Sequence, residues 1–329
     1  MSSDTRPTGG IEEPRVPPAA GIPAETRIET AAPVPAAGSA PTTPSGPKRR
    51  VHETAYFALR NPKFVIGAIV IVLFLAAAVI GPRFTDYQPY EYAGPSNEPP
   101  GSEFWLGTTT FGQDVYTQFV LGLGSTFVVG LLGGGLATLI GMVVGFTAGY
   151  RGGRIDEVLS MATNVVLTIP VLAALIIVAA YLEVRGVVVE AVLIGIFNWP
   201  WIARAIRAQT FTLRTREFVD LARLSGVGTS RIIRREIAPN MSSYLVLVLI
   251  LSFGGAILNG AFLEFLGLGP TDAVTLGTMI NNAVLWSALN LGLWWWFIPP
   301  GLAITLIVGA LYFMNVGLDE VFNPKLRET

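Results

Sequence analysis

Charge is missing from long stretches of this chain and crowded into the short segments between them. Phe64–Gly81 is an uncharged run of 18 residues between Lys63 and Arg83. Val115–Tyr150 carries no charge over 36 residues, Val158–Leu182 none over 25, and Ile237–Leu263 none over 27. Gly186–Ala203 holds only Glu190, and Ala273–Leu318 is uncharged over 46 residues, strongly apolar from about Trp294. A helix needs about 20 apolar residues to cross a bilayer. The pattern therefore predicts an all-α integral membrane protein with six transmembrane helices, near 63–82, 118–150, 158–182, 187–207, 242–266 and 295–317. Barrel strands would show shorter, alternating segments, which this chain lacks.

Composition agrees with that solvent. Hydrophobic residues make up 51% of the 329 and charged residues 14%, with a mean hydropathy of +0.55; a soluble domain carries about 25% charged residues. The absence of cysteine excludes disulfides, thiolate metal sites and cysteine nucleophiles, and the single His52 leaves no histidine-based metal site or triad. The first 50 residues hold 10 of the 23 prolines and almost no aliphatic clusters. Such a stretch cannot bury enough apolar surface to offset its ordering entropy. Residues 1–55 are thus expected to form a disordered, Pro/Ala-rich cytoplasmic tail, without the apolar core of a signal peptide. Residues 56–117 follow as the first transmembrane helix with an outer loop, and 118–329 as the main membrane domain.

Basic residues set the expected orientation. With the N-terminus inside, only Arg83 and Arg185 of the 22 Lys and Arg fall in outer loops. Asp86, Glu91, Glu98, Glu103 and Asp114 gather in the first outer loop, 83–117. Both termini are then cytoplasmic.

The largest break in hydropathy, about 208–240, lies between the fourth and fifth predicted helices. Phe218, Val219, Ala222 and Leu224 recur there at near-helical spacing. Ser225-Gly226-Val227-Gly228-Thr229-Ser230 is a turn signal, and a second short helix, Arg231–Ile237, runs into Pro239. The residues describe either a helical hairpin facing the cytoplasm or a basic amphipathic loop on anionic lipid. Elsewhere, Gly130 and Gly134, then Gly141, Gly145 and Gly149, form four-residue ladders, expected chiefly to allow close helix packing within the subunit. Pro170 and Pro200 should kink their helices. Glu190 and Glu264 are the only acids inside predicted spans and should face protein or water. Trp294-Trp295-Trp296 is expected to form an aromatic belt at the interface. None of Lys48, Lys63 and Lys325 follows a phosphate-binding glycine pattern, so ATP chemistry must come from another chain.

These residues also carry a resemblance. Arg216-Glu217-Phe218-Val219-Asp220-Leu221-Ala222-Arg223-Leu224-Ser225-Gly226, with Pro239-Asn240 thirteen residues beyond the glycine, resembles the EAA loop of ABC importer permeases. Trp199-Pro200-Trp201 with its following helix, Leu106-Gly107-Thr108, Phe111-Gly112-Gln113-Asp114, Gly149–Glu157, Phe265-Leu266-Gly267-Leu268-Gly269 and Asn323-Pro324-Lys325-Leu326-Arg327 are similar to the dipeptide/oligopeptide/nickel branch, C-type subunit. Asp220-Leu221-Ala222 stands where that family has Glu-Ala-Ala, Asn164 where it usually has aspartate, and Glu264 where a small polar residue is usual.

The resemblance implies a non-catalytic permease subunit in the cell membrane. Its partners would be a second homologous permease, two ABC ATPase subunits that bind the ATP, and an extracytoplasmic solute-binding protein, with no cofactor of its own and no nucleic acid. Glu217, Asp220, Ala222, Arg223, Gly226, Arg231 and Pro239 would couple it to the ATPases. Asn164, Pro170, Asn198 and Glu264 are candidates for the translocation path. Peptides are the expected cargo, with nickel or oligosaccharides as the alternative. An ion-coupled carrier would need paired intramembrane charges, and an intramembrane enzyme a nucleophile constellation that the sequence does not offer.

Overall fold

The computed structural model describes residues 59–322. The expected tail 1–55 and the Asn323–Arg327 motif lie outside the described residues. The regular structure of the described residues is helical, joined by loops, with one isolated antiparallel bridge, Thr108 to Asp114. Five helices are long and apolar enough to cross a membrane, or six if one bent pair forms a single span.

Helix α1 (Pro62–Ile80) starts where the Asn61 side chain accepts from the Lys63 and Phe64 amides, and it continues into a 3₁₀ turn, Gly81–Phe84. It packs on the last helix, α11 (Trp294–Phe322). Gly67 and Gly317 permit that approach, since a Cβ on Gly67 would stand 2.6 Å from the Ala310 carbonyl oxygen. Lys63 and Asn61 bond to Glu320 at the same crossing.

Helix α2 (Val115–Arg151) is the spine. Asp114 caps it, accepting from the Thr117 amide at 2.9 Å, and Gly152, at φ 66°, ends it. Its 37 residues give a length of about 55 Å. Its glycines divide into two stripes. Gly130 and Gly134 meet Phe253 of α9 (Ser242–Phe265), while Gly141, Gly145 and Gly149 meet Ile202 to Thr210 of α5 (Val187–Leu213). Close packing within the subunit, as expected, accounts for both.

The predicted helix 158–182 is two helices. α3 (Gly153–Thr168) and α4 (Val171–Tyr181) are bent by 77° across Ile169-Pro170. A proline disfavours helical angles at the residue before it, and Ile169 is extended at φ −83°, ψ 123°. The helix breaks where a kink was expected. α5, by contrast, runs through the buried Pro200 as one element and extends to Leu213, past its apolar part. Hydropathy marks where lipid ends; the backbone hydrogen bonds do not stop there.

The segment after α9 does not cross. Helix α10 (Leu276–Leu285) has ten residues, begins with a reciprocal Thr275–Thr278 capping box, and packs beneath the start of α11. The tryptophan run also differs from expectation. Trp294 is exposed, but Trp295 and Trp296 are buried, and the Trp295 indole donates to the Thr108 carbonyl at 3.1 Å. Two of the three rings are core, and Trp295 grips the 85–114 loop, because successive helical residues point about 100° apart. Two opposite ends result: a loop end, with residues 85–114 and 266–293, and a hairpin end, with residues 214–241.

Candidate functional site

At the hairpin end, α6 (Glu217–Leu224) stops at a left-handed glycine. Gly226 has φ 72°; its amide donates to the Arg223 carbonyl, and the Val227 amide reaches back to Ala222, each at 3.0 Å. That pair of bonds is a Schellman stop, which a Cβ at the left-handed position would strain. The chain then rises through α7 (Thr229–Ile232), a π-helical turn (Ile233–Ile237) and α8 (Ala238–Asn240) into α9. The π turn bonds i→i+5, and Ile232 just before it and Ile237 at its end are both buried in the core.

Val219, Ile232 and Ile237 are buried against Tyr150 of α2 and Ile206 of α5, with Phe218 and Ala222 packed beside them. The outward face of α6 carries Glu217, Asp220 and two uncovered leucines, Leu221 (64% exposed) and Leu224 (86%). Leu224 thus points away from the stripe to which its spacing assigned it. Arg231 and Pro239 are exposed on the second limb.

Two arginines join this hairpin to α2. Arg223 bonds to the Asp220 carboxylate at 3.0 Å and to the Tyr150 hydroxyl at 3.3 Å, and its guanidinium lies 5.2 Å from the Tyr150 ring centroid. The hydrogen bond to Tyr150, more than the exposed Asp220, holds Arg223 above its ordinary guanidinium value. Arg214 donates to the Gly149 carbonyl at 3.2 Å, among the unpaired carbonyls of the α2 C-terminus, where a cation is favoured.

The four residues expected along a path lie apart. Asn164 accepts from Arg204 at 2.8 Å in a cleft of about 370 Å³ between α2, α3 and α5. Pro170 sits at the α3–α4 bend. Asn198 accepts from Asn259 at 3.1 Å, bridging α5 and α9. Glu264 is buried at the loop end, where it accepts the Gly277 amide at 3.1 Å.

A sequence model described as binding-protein-dependent transport system inner membrane component matches residues 141–328, which include the whole hairpin. The chain belongs to this family. A second model, the N-terminal transmembrane domain of oligopeptide transport permease C, matches residues 58–100. Among relatives, a dipeptide transport system permease of Bacillus subtilis (strain 168) is 30% identical over 278 residues, covering 84% of this chain and 86% of that protein. An oligopeptide transport system permease of the same organism is also 30% identical, over 82% of this chain and 87% of its own length. A putative peptide transport system permease of Brucella abortus is 32% identical over 88% of this chain and 98% of that protein.

The chain is therefore the membrane component of a binding-protein-dependent transporter, located in the inner membrane by its family. The permease's coupling candidates do converge: Glu217, Asp220, Ala222, Arg223, Gly226, Arg231 and Pro239 occupy one hairpin. Sequence reasoning missed Leu221 and Leu224 as its open face. The available signal was an eight-residue helix with apolar residues on more than one side, which cannot bury all of them. It also missed Arg214 and Tyr150, whose roles arise only where distant helices meet, and the partnership of Arg204 with Asn164.

Proposed function

We propose that this permease imports peptides, as one of two homologous membrane subunits served by two ATPases and a solute-binding protein. The observation that carries the reading is the solvent-facing surface of α6, where two leucines lie open between acidic residues on a helix whose other side is locked into the core. A helix of this kind fits a groove in a partner protein. We read the hairpin end as cytoplasmic, with both termini on that side, because the basic residues concentrate there. Glu217 and Asp220 meet basic groups of the ATPase, Arg231 its acidic groups, and Leu221 and Leu224 its apolar floor. ATP stays on those subunits; this chain supplies no residue to its hydrolysis.

Closure of the ATPase pair would move α6. Arg223 on Tyr150, Arg214 on the α2 terminus and the buried Val219–Ile237 contact carry that displacement into α2, whose other end holds the 85–114 loop. The result is rigid-body alternating access, with the loop end receiving the binding protein. The peptide cargo follows from the names of the relatives; nickel or oligosaccharide remains the alternative cargo for the same architecture. Asn164, Pro170, Asn198 and Glu264 would contribute at separate levels of the route rather than at one site.

Replacement Gly226→Glu tests the reading. Among the described residues nothing lies within 4 Å of a Cβ there, so the added side chain projects from the open surface of the hairpin, beyond the local cost of the left-handed backbone. Expected is a chain that inserts into the membrane but supports no peptide uptake. A purified mutant complex with its ATPases bound and normal transport would refute the proposed docking.

A further inference from the structure

Two acids that the coupling scheme leaves unused meet at the loop end. Glu190 stands in the first turn of α5 and Glu264 in the last turn of α9. Protein encloses both, leaving 7% and 1% of their surface exposed. Glu264 accepts the Gly277 amide at the start of α10, with the Thr275 hydroxyl also beside it. Glu190 has no such donor: no amide, hydroxyl or guanidinium group among the described residues bonds to either carboxyl oxygen, and its polar neighbour is the Glu264 carboxyl. Its Oε1 lies over Gly260, one turn before Glu264 on the same face of α9, and the Glu264 carboxyl is the charged group that faces it. α2 contributes Val129 to this contact and α5 its own Ile194, both apolar. Arg185 lines the neighbouring cavity, yet it bonds to the Gly267 carbonyl at 3.2 Å, and Asp272 packs near Gly186. None of the three ion pairs among the described residues involves Glu190 or Glu264.

A buried carboxylate without a partner is costly, and a second carboxylate facing it adds repulsion. Beside Glu190 is a cavity of about 10 Å³, lined also by Leu193, Leu263, Gly269 and Pro270. That is room for roughly one water-sized particle on the Glu190 side of the pair; Glu264 does not line it. Glycine at 277 lets the Glu264 carboxyl approach the start of α10, since a Cβ there would collide with Glu264 Oε2.

We propose that Glu190 and Glu264 form a buried cation site that holds one positive charge between their carboxyl groups and thereby ties together the loop ends of α5, α9 and α10. The charge is borne by a proton, shared as a hydrogen bond between the two carboxyl groups, or by a bare alkali-metal ion coordinated by their oxygens, and a pH series and an ion series separate these cases. The site does not depend on where the hairpin docks.

The test uses the intact purified transporter, with thermal unfolding followed in two series. In the first, pH rises from about 6 to about 9 in choline buffer free of sodium and potassium. In the second, sodium or potassium chloride replaces choline chloride at fixed pH. A proton-bearing site stabilises the wild type at the acid end and loses that stabilisation as pH rises. An ion-bearing site gains about tenfold in the folded-to-unfolded ratio for each tenfold rise in ion above its Kd. Either response supports the site, provided that it is lost in Glu190→Gln, whose neutral amide donates to Glu264 without a bound charge. Infrared spectra of the wild type cover the case in which the variant fails to fold: a protonated-carboxyl band near neutral pH, or ion-dependent unfolding without it, again supports the site. Identical responses of wild type and Glu190→Gln in both series overturn it. So does a wild type with neither the band nor ion dependence.

Discussion

Gly134 and Gly135 are neighbours in sequence and opposites in surroundings. A Cβ on Gly134 would stand 2.7 Å from the backbone of Phe253, whereas one on Gly135 meets nothing within 4 Å among the described residues. Gly134→Ala must push α9 away from α2 and should lower stability by about 1–3 kcal/mol. Gly135→Ala removes only glycine's backbone freedom and should be neutral or stabilising by about 0.5–1 kcal/mol. Thermal unfolding of the purified transporter separates the two. The ladder of glycines is visible in the sequence, and so is the reason for it. Which helix each glycine admits is not, because a stripe of small residues does not name its partner. The same holds for Glu190 and Glu264. Each stands out as an acid in an apolar run, but they lie far apart in sequence, and only the packing of α5 against α9 makes them neighbours.

At the scale of elements, hydropathy located the long helices to within a few residues, since the lipid-facing run and the helix largely coincide. It failed where a helix and an apolar run are different things. The stretch 158–182 is continuously apolar, yet Pro170 divides it. Residues 208–213 are too polar for lipid, yet they continue α5. Trp294-Trp295-Trp296 reads as a surface belt, yet two of its rings are buried, and one of them, Trp295, bonds to the 85–114 loop. The hairpin was legible in outline because Gly226 and Pro239 punctuate it; the outward turn of Leu221 and Leu224 was not. Leu224→Glu should leave the fold intact, since that side chain is 86% exposed, while sharply reducing the amount of ATPase that copurifies with the permease. Undiminished copurification would show that this face is not the docking surface. Pro170→Ala should let α3 and α4 join into a straighter helix and slow uptake, and equal uptake rates would show that the bend is dispensable.

Across the whole molecule, α2 links the hairpin to the loop end. Arg214 and Arg223 attach the hairpin to its terminus, and Asp114, Thr117 and Trp295 fix the loop at the other end. Replacing Arg214 and Arg223 together with alanine should lower the amount of peptide imported per ATP hydrolysed more than it lowers ATPase activity. Equal losses in both would place these arginines in assembly rather than transmission. Orientation and partners belong to this scale too: the orientation was read from the basic residues, all but Arg83 and Arg185 falling outside the expected outer loops, and the partners from the family resemblance. The central claim, that α6 is the surface where the ATPase acts, can be tested without background because the chain contains no cysteine. Leu224→Cys should cross-link to an ATPase subunit in the assembled transporter, while Tyr92→Cys at the loop end should not. Cross-linking to the ATPase from Tyr92→Cys, with none from Leu224→Cys, would contradict the account.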